Sequence, residues 1–227
     1  MATYLSKILL WVCLVLFALP ASVVKADLIN GGFDSPGGDQ PAQGLGVNST
    51  FITGWLTVPG YDGTFTGAVE YFHDRSQDPG GYSVELGFYD GSTGLQQTFS
   101  TSLNQVYFVT FWLATDPFNG SSPGRLRVSA GGTSMDYTAP LPTGSAAAMG
   151  WQQRSFFFTS DGSGSTTLLF QNLPSPHGAW PAIDTISVTA VPEPSSLTLT
   201  LVGATVIGLG FWWRQRGALV ADSGRRW

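Results

Sequence analysis

The chain has a single cysteine, Cys13, and it lies inside an N-terminal apolar run. Everything after it is therefore without a disulfide or a thiolate metal centre, and the fold must stand on its own core. Lysine is missing as well: between Asp27 and Ala190 there is none, and only Arg75, Arg125, Arg127 and Arg154 offset thirteen carboxylates. Such a balance excludes nucleic acid as a partner, because counterion release rewards basic patches and this segment has no basic patch to offer. Charge of either sign is scarce, at 11% of residues, whereas 29 glycines and 14 prolines provide for many turns. No stretch of the interior shows helical periodicity, and no GxSxG, P-loop, HExxH, CxxC or EF-hand pattern occurs.

The two ends carry the targeting information. Lys7 precedes an apolar run from Ile8 to Leu19, followed by Pro20 and by Val24-Lys25-Ala26, which fits a signal-peptidase site. About twelve apolar residues are too few to span a bilayer, which needs about 20. Residues 1–26 therefore form a leader removed by signal peptidase, and the mature chain begins at Asp27. At the other end, Leu197 to Trp213 is an uncharged run of 17 residues that closes on two tryptophans and is followed by Arg214 and Arg216. That is the pattern of a short transmembrane helix over 197–213 with a cytoplasmic C-terminus.

Between the ends, short β-rich runs alternate with Gly-, Pro-, Ser- and Asp-rich turns such as Asp78-Pro79-Gly80-Gly81. The expected strands are Phe51–Val58, Ala68–His73, Tyr82–Leu86, Gly94–Phe99, Val106–Ala114, Arg125–Ala130, Gln152–Thr159, Thr166–Leu173 and Ile183–Thr189. In Val106–Ala114, Tyr107, Val109, Phe111 and Leu113 share one face and Phe108, Thr110 and Trp112 the other. The class is all-β, a sandwich or jelly roll over residues 27–190.

Val191-Pro192-Glu193-Pro194, the two serines after it, the apolar span and the closing arginines together resemble the PEP-CTERM sorting signal. The resemblance implies an exported protein, held transiently in the inner membrane by the tail 191–227 and processed at Val191, Pro192, Glu193 and Pro194 by an exosortase-type protease. It further implies a Gram-negative host that makes extracellular polysaccharide, with the cell surface or matrix as final address. Asn30-Gly31-Gly32-Phe33-Asp34, Thr53-Gly54-Trp55, Gly81 to Leu86, Gly94 to Phe99 and Pro181 to Val188 run in the order of the family called choice-of-anchor C, which this domain resembles. That likeness implies a galactose-binding-like jelly roll, a fold that hosts binding modules, adhesion domains and enzyme appendages alike.

In such sandwiches the first and last strands lie together, so Asp34 and Asp184, with carbonyls near Asn30 and Gly32, would supply the oxygen ligands of a structural calcium. The alternative is that both carboxylates satisfy nearby backbone amides. Tyr61, Phe65, Phe118 and Trp180 sit in loop-like contexts and are the candidates for stacking on a sugar; Trp180 stands next to His177 in sequence. Trp55, Trp112, Trp151 and Phe156 to Phe158 sit in strand patterns and read as core or sheet face. Glu70 and Glu85 invite a glycosidase reading, yet nothing in the pattern marks either as desolvated. The chain is accordingly expected to be non-catalytic, binding polysaccharide or serving as a structural, adhesive protein without a defined glycan. No cofactor is required, with calcium the one metal the residues suggest.

Overall fold

The computed structural model describes residues 24–36, 42–88, 92–118, 121–175 and 179–192, together with Gly208. The chain divides into two units, residues 1–191 and 192–227. Of the second, only Pro192 and Gly208 are described, so the expected span over 197–213 and the motif residues Glu193 and Pro194 lie outside the described residues. His177 and the apolar part of the leader lie outside them too. Among the described residues no helix is long and apolar enough to cross a membrane.

Among its described residues the first unit contains twelve strands: β1 (Val24–Lys25), β2 (Ala42–Leu45), β3 (Leu56–Pro59), β4 (Ala68–Phe72), β5 (Ser83–Phe88), β6 (Thr93–Ser100), β7 (Val106–Thr115), β8 (Arg125–Ala130), β9 (Thr133–Thr138), β10 (Gln152–Thr159), β11 (Ser165–Asn172) and β12 (Pro181–Ala190). They form two antiparallel sheets. One has the order β10-β7-β12-β5-β4-β2, with β1 added beside the end of β12, and the other the order β3-β6-β11-β8-β9. The chain crosses repeatedly from one sheet to the other, which gives a jelly-roll sandwich.

All nine expected strands are present, within a few residues at most ends. The first begins only at Leu56, because Phe51 to Trp55 form a loop. The faces of β7 follow the alternation: Tyr107, Val109, Phe111 and Leu113 are buried between the sheets, and Phe108, Thr110 and Trp112 are half-buried on the outward side. Phe156 and Phe158 of β10 enter the same core. Its centre is a chain of rings, Phe33 to Trp55 at 5.4 Å, Trp55 to Phe170 at 6.2 Å and Phe170 to Phe111 at 5.4 Å. Burying each such side chain contributes about 1.5–3 kcal/mol, which is how a domain without disulfides holds together.

The opening motif is locked to the last strand. The Ile186 amide donates to the Gly31 carbonyl at 2.8 Å, the Trp55 indole to the Asn30 carbonyl at 3.0 Å and the Tyr71 hydroxyl to the Phe33 carbonyl at 2.6 Å. A Cβ on Gly31 would stand 2.0 Å from the Ile186 carbonyl oxygen, so only glycine lets the chain approach so closely. The sheet also reaches upstream of the expected leader cut, since Val24 pairs with Ala190 and Lys25 with Thr189. Downstream it extends to Val191, whose amide donates to Val106 and whose carbonyl accepts from the Gln105 side chain at 2.6 Å.

Candidate functional site

The outward face of the larger sheet carries a charged cluster that the sequence does not announce. Glu70 and Glu85 are register partners on β4 and β5, and Ala182 of β12 stands opposite Glu85. Over them lies the β4–β5 loop. Its turn is closed by the Gly81 amide on the Asp78 carbonyl, with Gly80 at φ +80°, a conformation glycine adopts freely. The loop is pinned to β12 because the Ser76 hydroxyl and the Gln77 amide donate to Asp184 Oδ2 at 2.9 and 2.7 Å.

This anchoring delivers Arg75 to the cluster. Its guanidinium carbon lies 3.9 Å from the centroid of the Phe72 ring and 5.3 Å from that of Phe118, so the cation is held between two aromatic faces. One of its nitrogens stands 3.5 Å from Glu85 Oε2 and 3.6 Å from Asp116 Oδ1. Asp116 follows β7 and is fixed by its amide on the Trp180 carbonyl at 3.0 Å, and its carboxylate accepts the Phe118 amide at 3.0 Å. Gly124 keeps this corner tight: a Cβ there would come within 2.7 Å of the Pro181 nitrogen.

Glu85 is 1% exposed, and neither of its carboxyl oxygens has a well-formed hydrogen-bond partner. Burial drives its pKa well above the ordinary glutamate value; the charges of Asp116 and Glu70 add to the rise and Arg75 opposes it. Glu70, half-buried, is raised as well, first by burial, with Arg75 lowering and Asp116 raising it. Desolvation therefore does mark this pair, contrary to what the sequence pattern suggests. Of the two, only Glu70 reaches solvent, since Glu85 is enclosed. Arg75 thus stands over Glu85 and Asp116 with its side chain 18% exposed, beside half-buried Glu70 and the exposed Phe118 ring.

The other candidates divide. Phe118 is 62% exposed and Tyr61 49% exposed, as loop aromatics should be. Tyr61 belongs to a separate place, under Arg127 at 4.2 Å beside the smaller sheet. There Arg127 is taken up by a bidentate pair with Asp136, at 2.6 and 2.8 Å. Trp180 corrects the expectation: at 8% exposed it is buried beside Pro181 and offers no free ring face. Phe65 is partly buried and packs against the core, so it is no open platform either.

The calcium candidates are likewise placed. The Asn30 side chain accepts the Ser35 amide at 3.0 Å and donates to the Ser35 and Thr53 carbonyls. Its own carbonyl is engaged by Trp55. Asp184 accepts from Ser76, Gln77 and Thr185, and burial lifts its pKa to about 6 against those hydrogen bonds. Asp34 is exposed, beside Gly32 and Gly81. Among the described residues no group of three or more His, Cys, Asp or Glu could hold a metal ion. Of the donors expected for calcium, Asn30 and Asp184 are engaged with amides, carbonyls and a hydroxyl, and Asp34 is exposed.

Arg75 and Asp116 were not singled out by pattern. The available signal was the isolation of Arg75, the one arginine or lysine between Asp27 and Arg125.

Solved structures with similar coordinates include a Stig cyclase, Fisc, from Fischerella sp. TAU, 16% identical, covering 76% of this chain and 100% of that one with a TM-score of 0.49. Another is TmCBM61 in complex with β-1,4-galactotriose, 19% identical, covering 74% and 99% with a TM-score of 0.42. A third is the CBM22-1 xylan-binding domain of Xyn10C from Paenibacillus barcinonensis, 12% identical, covering 67% and 94% with a TM-score of 0.41. No curated protein was found to match the chain. A PEP-CTERM protein-sorting motif is matched over residues 190–216, so the chain carries the signal of an exported protein with a transient membrane anchor. Matched over residues 26–189, which is nearly the whole two-sheet domain, the chain belongs to the family described as protein of unknown function, DUF642.

Proposed function

We propose that this is a non-catalytic exported protein that recognises an uncharged polysaccharide through the Arg75–Phe118 site. An exosortase-type protease releases it near Pro192 to the cell surface or extracellular matrix of a Gram-negative host. The observation that supports the reading is the held guanidinium beside an exposed aromatic ring. A sugar presents an apolar C–H face and hydroxyl edges, and a ring such as Phe118 with the Arg75 donors and the Glu70 acceptor next to it answers both. The acidic, lysine-free domain repels anionic polymers, which directs the choice to neutral glycans.

A screen of the full chain, in detergent micelles, against neutral and anionic polysaccharides tests this. Saturable binding to a neutral polymer is expected, and silence across the panel favours a structural, adhesive protein without a glycan ligand. The raised pKa values of Glu70 and Glu85 give the enzyme alternative its one supporting observation. That alternative requires release of reducing ends that disappears in Glu70→Gln.

A further inference from the structure

The outward side of β10, β7 and β12 presents a row of aromatics that the Arg75–Phe118 site does not use. Register pairing places Phe157, Phe108 and Thr189 side by side, then Ser155, Thr110 and Ser187, then Gln153, Trp112 and Asp184. Phe157 is 56% exposed, an unusual state for a phenylalanine in the middle of a strand. It is held by its neighbour, with ring centroids of Phe108 and Phe157 4.6 Å apart and tilted by 34°. Phe108 and Trp112, four residues apart on one strand, are separated by roughly 13 Å at the strand rise. Hydroxyls of Ser155, Thr110 and Ser187 fill the row between them.

In these rows the outward positions carry no charge apart from Asp184, and its carboxylate is already taken by Ser76, Gln77 and Thr185. Two apolar ring positions with a band of neutral hydroxyls between them match a ligand that is itself uncharged and alternates apolar faces with hydroxyl edges. The backbone edge of β10 is partly covered, since the Tyr137 hydroxyl donates to the Ser155 carbonyl at 2.6 Å and the Arg154 side chain donates to the Gln153 carbonyl, which disfavours pairing with a second copy.

We propose that this row is a second stacking platform, at Phe157, Phe108 and Trp112, for an extended neutral polysaccharide chain. The inference rests on the glycan-binding reading above and sharpens it: the ligand is the interior of a polymer, not a terminal sugar. Asp116 lies eight residues beyond Phe108 along β7 and past its end, so only a chain reaching roughly 26 Å engages both places.

The test is affinity electrophoresis of the full chain in detergent micelles through gels containing a neutral β-glucan, galactan or xylan, beside competition by a disaccharide of the same linkage. Phe157→Ala and, as a variant that keeps the exposed position soluble, Phe157→Lys are expected to weaken retention by the polymer roughly tenfold. Phe118→Ala weakens binding of polymer and disaccharide alike, whereas the Phe157 variants leave disaccharide competition unchanged. Retention unaltered in both Phe157 variants and in Trp112→Tyr, with Phe118→Ala still defective, overturns the platform and leaves the first site standing. Retention of the unaltered chain by none of the polymers overturns both.

Discussion

Arg75 stands 3.5 Å from Glu85 Oε2, near enough to attract and too far for a good hydrogen bond. The arginine is therefore steered by charge and by its two aromatic neighbours, and the glutamate beneath it is governed by burial. Most of the behaviour of this site follows from that division.

The buried carboxyls set the pH dependence of stability. Glu85 and Asp184 both have folded pKa values above their unfolded ones, Asp184 at about 6. Their stabilisation is complete below pH 4 and is lost as pH rises through the folded values. The melting temperature is therefore expected to fall between pH 4.5 and 8 by a few degrees, roughly 2–4 °C for each kcal/mol in a domain of this size. Glu85→Gln should flatten that slope, and a slope unchanged in Glu85→Gln would refute the assignment.

Arg75 acts through its planar fork as well as its charge. Arg75→Lys keeps the cation but loses the stacking surface between Phe72 and Phe118. It is expected to lower glycan retention about tenfold while shifting the melting temperature by under about 3 °C. Retention equal to that of the unaltered chain would show that charge alone suffices.

Gly31→Ala probes the lock between the opening motif and β12. The new Cβ would overlap the Ile186 carbonyl oxygen, a backbone atom that cannot turn aside. A loss of about 2–4 kcal/mol is expected in urea unfolding, and a loss below about 0.5 kcal/mol would mean that the motif is not held as described.

Calcium should matter little. The Asp184 carboxylate and the Asn30 side chain already have protein donors and acceptors, so exchanging chelator for calcium is expected to move the melting temperature by under about 1 °C. A shift of several degrees would restore the calcium centre that Asp34 and Asp184 suggest in the sequence.

Much of the sandwich was legible because the strands that build the core alternate strictly. Val106 to Ala114 and Arg125 to Ala130 show their inward residues at every second place, and burial follows. β9 was not legible: Thr133–Thr138 is exposed along nearly its whole length, and it exists because its backbone pairs with β8. β2 and β1 are too short, at four and two residues, to show a period. Of the site, exposed Phe118 and Tyr61 could be anticipated from their Gly- and Asn-rich surroundings. Trp180 looked equally loop-like and is buried, because the chain folds it in beside Pro181 and Gly124, a long-range packing that no local pattern records. Arg75 and Asp116, forty-one residues apart in sequence, meet only because β4, β5 and the end of β7 lie on one face.

The most direct measurement is an equilibrium binding titration of the full chain and of Phe118→Ala with a soluble neutral oligosaccharide chosen from the polysaccharide screen. The glycan-binding account predicts saturable binding by the unaltered chain and at least roughly tenfold weaker binding by Phe118→Ala, with both melting at the same temperature. Equal affinity in the two proteins would contradict it, and would move the search for the ligand away from the Arg75–Phe118 site.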